Sequence, residues 1–433
     1  MPERRLIRGG HSQTARRFSR RARARAIGCG LAACGLFTAT VCVESQAAAL
    51  EVRGAPASFI SQFSPSDIAK IDAAAGQSLG HQITGVVVSV SDPARGTLLK
   101  AYGKAAAGGR RMTPDVHYRT ASVTKALTAQ AILRLGDQGK LSLSDTIRKY
   151  VADFPNGSKI TLHDLLGMRG GVYNYTDDAQ FLGQYAKNPL WPGWTPDDAV
   201  KIMKRHAEDF RPHGTKTVYS DSEYILLGVV IQKVTGQPAD VYISRTIQDL
   251  GLKNTTFPAT DVNLPRPYSN GYWYTPPAGS PLPLCPTAGP STNSPSPSGS
   301  DCHVDMTRGN PQVPWTAGAV VSTVSDMTRL APELATGAGL KPATAKERQE
   351  WTSMSNPGSD VPLEYGLGLM RIGDWIGHDG AIFGYSTMVF YLPSRKSSVV
   401  VMANASNAES VTALDLWGKV VTQLYPDTLS GRR

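Results

Sequence analysis

Apolar positions follow two different rhythms along this chain. Ile68, Ile71, Ala75 and Leu79 recur at helical spacing behind Ser64-Pro65, a pair suited to cap and start a helix, and Gly80 ends the run. From Ile83 to Ser91 the chain turns rich in Val and Thr. A second such stretch, Thr97 to Gly103, follows the turn Asp92-Pro-Ala-Arg-Gly96, so the two predict a hairpin of antiparallel strands. A short strand at 117–120 meets a strongly helical run, Lys125 to Leu135. Helical patterns then hold to about residue 257, among them 161–166, 196–206 capped by Thr195, and 222–235 stopped by Gly236. Ala317 to Ser322 leads into a further helix from Thr323. Strand character returns at Tyr365–Gly373, Ala381–Leu392 and Ser397–Asn404, and a last helix runs from Val411 to Leu424. Strands at both ends with helices between predict one sheet built from the first and last segments, with a helical subdomain inserted at about 126–315.

The stretch 258–314 breaks this pattern. Positions 276–297 hold eight prolines among Gly, Ser and Thr, and so many missing N–H donors exclude a core helix or strand. The expectation is an exposed excursion; a linker between domains is the alternative. Cys285 and Cys302 are the only cysteines after residue 49, and in an exported protein they suggest a disulfide pinning the excursion, with two free thiols as the other reading.

Export is itself an expectation from residues 1–49. Arg16 to Arg25 is a positive segment, Ala26 to Val43 an apolar one, and Gln46-Ala-Ala-Ala49 supplies small residues for cleavage. This reads as a signal peptide for a periplasmic or secreted protein, with an uncleaved anchor as the alternative and no stable membrane insertion once it is removed. The charge of the chain changes meaning accordingly. Of the formal +10, nine arginines against two glutamates lie in residues 1–49; 36 basic and 33 acidic residues remain. A nearly balanced chain gives no reason to expect a nucleic-acid partner. No Cys/His cluster has metal-ligand spacing, and no motif calls for a cofactor. The sequence carries no signal for a particular oligomeric state.

Candidate chemistry centres on Ser122-Val-Thr-Lys125. Ser122 falls at the first turn of the predicted helix, with Lys125 one turn on and on the same face, at the helix end whose dipole favours developing negative charge. Two later stretches match it, Tyr219-Ser-Asp221 ahead of a long helix and His378-Asp-Gly380 at the entry to the strand 381–392. In order and approximate spacing the three resemble the serine β-lactamase and penicillin-binding-protein superfamily. The likeness is greatest to its class C-like branch of soluble DD-carboxypeptidases, D-aminopeptidases, class C β-lactamases and related esterases. Flanking segments such as Ile160-Thr-Leu-His-Asp-Leu-Leu166 and Tyr224-Ile-Leu-Leu-Gly228 resemble the branch as well, and the likeness covers roughly residues 60–425.

The resemblance implies an α/β sandwich, an antiparallel sheet flanked by helices, filling residues 50–433 around the helical subdomain. It implies Ser122 as nucleophile, Lys125 and Tyr219 sharing the work of the base, and the N–H groups of Ser122 and Ala381 as oxyanion hole. Gly380 would let substrate approach closely, and His378 would line the cleft. Asp221 stands where the family usually has Asn; an ionised Asp only accepts hydrogen bonds, and it is expected to pair with Lys125 and keep it cationic. Arg371 is a candidate cation for a substrate carboxylate. The function implied is a hydrolase of small peptides, first a D-alanyl-D-alanine carboxypeptidase. A β-lactamase, D-aminopeptidase or esterase is the runner-up, and a non-catalytic binder of peptidoglycan or β-lactams the reading from another class.

Overall fold

The computed structural model describes residues 62–79, 83–107, 109–188, 190–207, 210–214, 216–274, 303–354, 361–382, 384–407 and 412–430. The signal-like segment, Cys285 and Cys302 lie outside these residues. In chain order the elements are α1 (Pro65–Ser78), β1 (Gly85–Asp92), β2 (Gly96–Gly103), β3 (His117–Arg119) and α2 (Val123–Asp137). The helical stretch follows with α3 (Leu162–Leu166), α4 (Ala179–Lys187), α5 (Pro196–Arg205), α6 (Asp221–Thr235) and α7 (Ala239–Asp249). Then come β4 (Tyr272–Tyr274), β5 (His303–Asp305), α8 (Trp315–Gly318), β6 (Val321–Thr323), α9 (Val324–Thr336) and α10 (Pro342–Glu347). The chain closes with β7 (Thr352–Ser353), β8 (Leu363–Tyr365), β9 (Met370–Ile372), β10 (Trp375–Ile382), β11 (Tyr385–Leu392), β12 (Ser397–Ala403), β13 (Ala405–Asn407) and α11 (Thr412–Leu424).

The main sheet has the order β2-β1-β12-β11-β10-β9-β8-β7, with every neighbouring pair antiparallel. First and last segments therefore do share one sheet: β1 pairs with β12 in a register that sets Val88 opposite Val401. Every residue of β11 and β12 is buried, because α11 covers one face and α9 the other. Double coverage explains why these strands read as continuous apolar runs instead of alternating ones. On the α11 face Trp417 meets Trp375 edge-on at 5.6 Å and packs on Phe390 at 5.0 Å.

Two strands expected as single pieces are each a hairpin. Tyr365–Gly373 divides into β8 and β9 around Gly368 (φ +74°), and the strand expected from Ala381 divides into β10 and β11 around Gly384 (φ +94°). Left-handed φ is where glycine carries least penalty, so these two residues supply the turns. As a result His378-Asp-Gly380 lies inside β10, not at the entry to the following strand. Between β3 and β6 the elements are mainly helical, but the excursion is anchored by two strands: β4 and β5 pair antiparallel, and β4 pairs parallel with β13.

Helix α2 lies at the centre. Its sequence is built of good helix formers, and it is buried almost all round, as a helix surrounded by protein on every side should be. The wholly buried guanidinium of Arg348 ties it to the turn between β8 and β9, donating to Ala126 O at 2.9 Å, to Leu367 O at 3.3 Å and to the Gln130 side chain.

Candidate active site

Ser122 is the N-cap residue of α2, yet its hydroxyl makes no capping bond and is free for other work. The backbone just before it is strained: Ala121 has φ +52°, a conformation that costs a non-glycine residue about 1–3 kcal/mol. The strain is held from the sheet side. A Cβ on Gly380 would stand 2.3 Å from Thr120 O and 3.1 Å from Ser122 N, so β10 touches the entry to α2 backbone to backbone. Only glycine allows that approach. Ala381, the next residue, lines the same pocket as Ser122.

Lys125 lies one turn along α2 and is completely buried. Its Nζ donates to Ser122 Oγ at 2.8 Å, to Asp221 Oδ1 at 2.5 Å and to Ala317 O at 2.9 Å. Three acceptors match the three N–H donors of an ammonium. The Tyr219 ring centre lies 4.9 Å from Nζ and the Tyr224 ring 5.8 Å, so two aromatic faces also flank the charge.

Asp221 is the first residue of α6, where the helix dipole favours a carboxylate. The entry to α6 is sewn to the preceding loop. Asn174 Oδ1 accepts from Asp221 N at 3.0 Å, and Ser222 Oγ accepts from Tyr175 N at 2.8 Å. The fully buried Glu223 accepts from Gly170 N at 3.1 Å and from Val172 N at 3.4 Å. Burial pushes the Glu223 carboxyl up to about 8, against the opposing pull of these backbone bonds. Asp177 is raised to about 6, chiefly by burial, with a further push from the nearby Asp221.

The structure thus brings together Ser122, Lys125, Tyr219, Asp221, Gly380 and Ala381. Two expectations need correction. His378 does not line the cleft. It is wholly buried behind it, with Nε2 3.1 Å from the Tyr365 hydroxyl and Nδ1 2.6 Å from Asp379 O. Tyr365 continues inward to the Tyr224 hydroxyl at 3.4 Å, which donates to Leu166 O at 2.9 Å. Arg371 is not at the cleft either. Its Nε donates to Glu364 Oε2 at 2.6 Å, and its guanidinium lies over the Trp351 ring at 5.1 Å. The paired strands β8 and β9 put Glu364 opposite Arg371, and that neighbour satisfies it.

The pocket wall supplies residues that the motifs do not contain. Beside Ser122 and Asp221 it is made of Tyr175, Thr176, Phe181, Tyr185, Val313, Pro314, Ala317, Gly318 and Ile382, around a volume of about 40 Å³. Phe181 is the hub, 5.2 Å from Tyr175, 5.9 Å from Tyr185 and 5.2 Å from Trp194. The density of aromatic residues from Tyr173 to Trp194 is the sequence signal for this wall. Val313 and Pro314, at the end of the 258–314 stretch, border the cleft.

Known proteins resemble this arrangement. A "Putative D-alanyl-D-alanine carboxypeptidase" of Escherichia coli (strain K12) is 33% identical over 157 residues, 34% of this chain and 35% of that protein. A "Putative penicillin-binding protein PbpX" of Bacillus subtilis (strain 168) is 32% identical over 155 residues, 36% of each. The chain thus spans about a third of the length of these curated relatives. Among solved structures, a D-stereospecific amidohydrolase from Streptomyces sp. superposes with a TM-score of 0.66 at 26% identity, covering 82% of this chain and 98% of that one. The D-amino acid amidase of Ochrobactrum anthropi SV3 complexed with D-phenylalanine shares the fold, with a TM-score of 0.68 at 23% identity over 83% and 99% of the two chains. The family model "Beta-lactamase" matches residues 68–421, and the chain belongs to the beta-lactamase family.

Proposed function

We propose that this chain is an exported serine hydrolase that forms an acyl-enzyme on Ser122 and acts on D-alanyl amides and peptides, D-alanyl-D-alanine first among them. The observation that carries the reading is the buried Lys125, which donates to Ser122 Oγ and to Asp221 at once.

In the mechanism we favour, Ser122 Oγ attacks the carbonyl carbon and Tyr219, acting as its phenolate, takes the hydroxyl proton. Lys125 does not accept it, because all three of its donors are already directed at oxygens. The ammonium holds Ser122 Oγ in place and makes the Tyr219 proton easier to lose. The carbonyl oxygen becomes an oxyanion facing the N–H groups of Ser122 and Ala381. The C–N bond then breaks as the leaving amine receives the proton from Tyr219. Water attacks the resulting ester, Tyr219 again takes a proton, and Ser122 Oγ recovers one as the acid leaves.

Pocket size supports a small acyl side chain. About 40 Å³ exceeds the 10–15 Å³ that one water needs but is far below the ~150 Å³ of an apolar cavity that takes up benzene. A methyl group fits such a space.

The deciding experiment is covalent labelling followed by mass spectrometry. A fluorophosphonate or fluorescent penicillin should mark Ser122, and Ser122→Ala should remove the mark. Absence of any label and of any turnover would leave the protein a binder. Release of D-Ala, nitrocefin hydrolysis and p-nitrophenyl ester hydrolysis then separate carboxypeptidase, β-lactamase and esterase. A D-aminopeptidase or amidase is the second reading, favoured by a cleft wall that carries Asp221 and no Lys or Arg among the described residues that line it.

A further inference from the structure

A second cavity opens between α4 and α5 and takes no part in the chemistry at Ser122. It encloses about 410 Å³, about ten times the volume beside Ser122 and within the range of ordinary ligand sites. Since a cavity of ~150 Å³ takes up benzene, this one has room for about two six-membered rings. Helical spacing builds its walls. Gln180 and Gln184 are one turn apart on α4, and Asp198, Lys201, Ile202 and Arg205 fall at i, i+3, i+4 and i+7 on α5, so each set shares a face. The loop between the helices adds Trp191 and Trp194, with ring centres 4.6 Å apart and planes inclined at 51°. Both are held from outside the loop. Asn310 Nδ2 donates to Trp191 O at 3.0 Å, and the Trp194 ring packs on Phe181 at 5.2 Å.

The chemistry of these walls selects the ligand. Their charges cancel in pairs, Arg205 with Asp178 at 2.7 Å and Lys201 with Asp198 at 2.8 Å. Two cations and two carboxylates leave no net charge for an ionic ligand to neutralise. Hydrogen-bonding capacity does remain. Arg205 and Lys201 carry more N–H groups than their carboxylates take up, and the exposed amides of Gln180 and Gln184 both donate and accept. A neutral molecule that donates and accepts all round its rim is a polyhydroxylated one. The indoles add negative π-faces suited to weakly positive C–H bonds. A planar aromatic ligand could lie flat on only one of two rings so splayed. A puckered pyranose presents C–H bonds at several angles and serves both.

We infer that the cavity between α4 and α5 binds a neutral saccharide, stacked on Trp191 and Trp194 and hydrogen-bonded by Gln180, Gln184, Lys201 and Arg205. Phe181 lines this cavity and the Ser122 cleft alike, so the sugar sits next to the reacting centre without entering it. Binding there does not require Ser122 to be acylated.

The test is isothermal calorimetry on the full chain. The neutral probes are N-acetylated chitotriose, cellotriose and maltotriose; trigalacturonic acid is the charged probe and a decaproline peptide the extended apolar one. Saturable one-to-one binding of at least one neutral trisaccharide is expected below about 10 mM. Trp191→Ala should weaken it about ten-fold or more, and the double variant Gln180→Ala/Gln184→Ala several-fold. Both glutamines are exposed, so the double variant keeps the fold and decides the matter should Trp191→Ala unfold. No binding of any neutral probe, or binding that the variants leave intact, overturns the inference. So does a preference for trigalacturonic acid or decaproline over all three neutral sugars. Labelling of Ser122 is a separate measurement, so failure of one reading is not mistaken for failure of the other.

Discussion

Lys125 and Asp221 form an ion pair of 2.5 Å with the lysine wholly out of water. Removing one member of a buried pair leaves an uncompensated charge, a loss of about 3–5 kcal/mol. Lys125→Met should therefore lower the urea midpoint markedly while reducing acylation of Ser122 by about 10²–10⁴-fold. Lys125→Met combined with Asp221→Leu should recover most of the stability and none of the activity. A double variant no more stable than Lys125→Met would show that the pair is not what holds this region.

Glu223 makes stability depend on pH. Its carboxyl ionises near 4.5 in an ordinary setting and at about 8 in the fold, because burial disfavours the charge. Between those values the native state keeps a proton that the unfolded chain has released. Stability should fall as pH rises from about 4.5 to about 8, by at most ~1.4 kcal/mol per pH unit from this group, and level off outside that window. Glu223→Gln should lie within about 1 kcal/mol of the parent at pH 5, since an amide keeps one acceptor for Gly170 N, and be the more stable of the two at pH 9. Urea midpoints at the two pH values check this; a difference between the proteins that does not change with pH contradicts it.

Gly380→Ala addresses the contact between sheet and nucleophile. The added Cβ would fall 2.3 Å from Thr120 O, and the neighbouring atoms are backbone that cannot rotate aside. Either β10 or the entry to α2 must move, and the N–H groups of Ser122 and Ala381 separate. A loss of about 10²–10³-fold in kcat for ester hydrolysis is expected, the range for losing one oxyanion donor, with the fold retained by circular dichroism. Full activity would mean that the two N–H groups do not act together.

Arg371→Ala should leave KM for a D-alanyl-D-alanine peptide unchanged. The guanidinium is paired with Glu364 and stacked on Trp351, so its loss should register only as about 0–1 kcal/mol of stability. A large rise in KM for the free carboxylate, and none for the C-terminal amide, would restore Arg371 as a carboxylate reader.

Much of the site could be read along the chain because it is made of local signals. The helical run after Ser122 fixes the position of Lys125 one turn on, and the exchange of Asn for Asp at 221 foretold the ion pair by charge alone. What could not be read was depth. His378 and Gly380 are two apart on β10 and face the same side, yet Gly380 meets Thr120 O while His378 lies sealed under Tyr365. Alternation gives the side of a strand, not what covers it. The hairpins around Gly368 and Gly384 were hidden because glycines inside Val- and Tyr-rich runs also suit a strand that passes close to another backbone. The wall of Tyr175, Phe181 and Tyr185 follows neither period, since those side chains converge from a turn and a helix.

The pairing of β4 with β5 has a practical corollary. Tyr274 sits opposite His303 in the ladder, so residues 275–302 depart and return at a single point on the protein. Closing a longer or shorter connection there changes its entropic cost only slowly with length. Replacing 275–302 by a two-residue turn should thus be a viable deletion, and the same junction is a natural port for grafting a fluorescent reporter or an affinity tag. Val313 and Pro314, which lead into α8, lie outside the deleted span and would stay at the cleft.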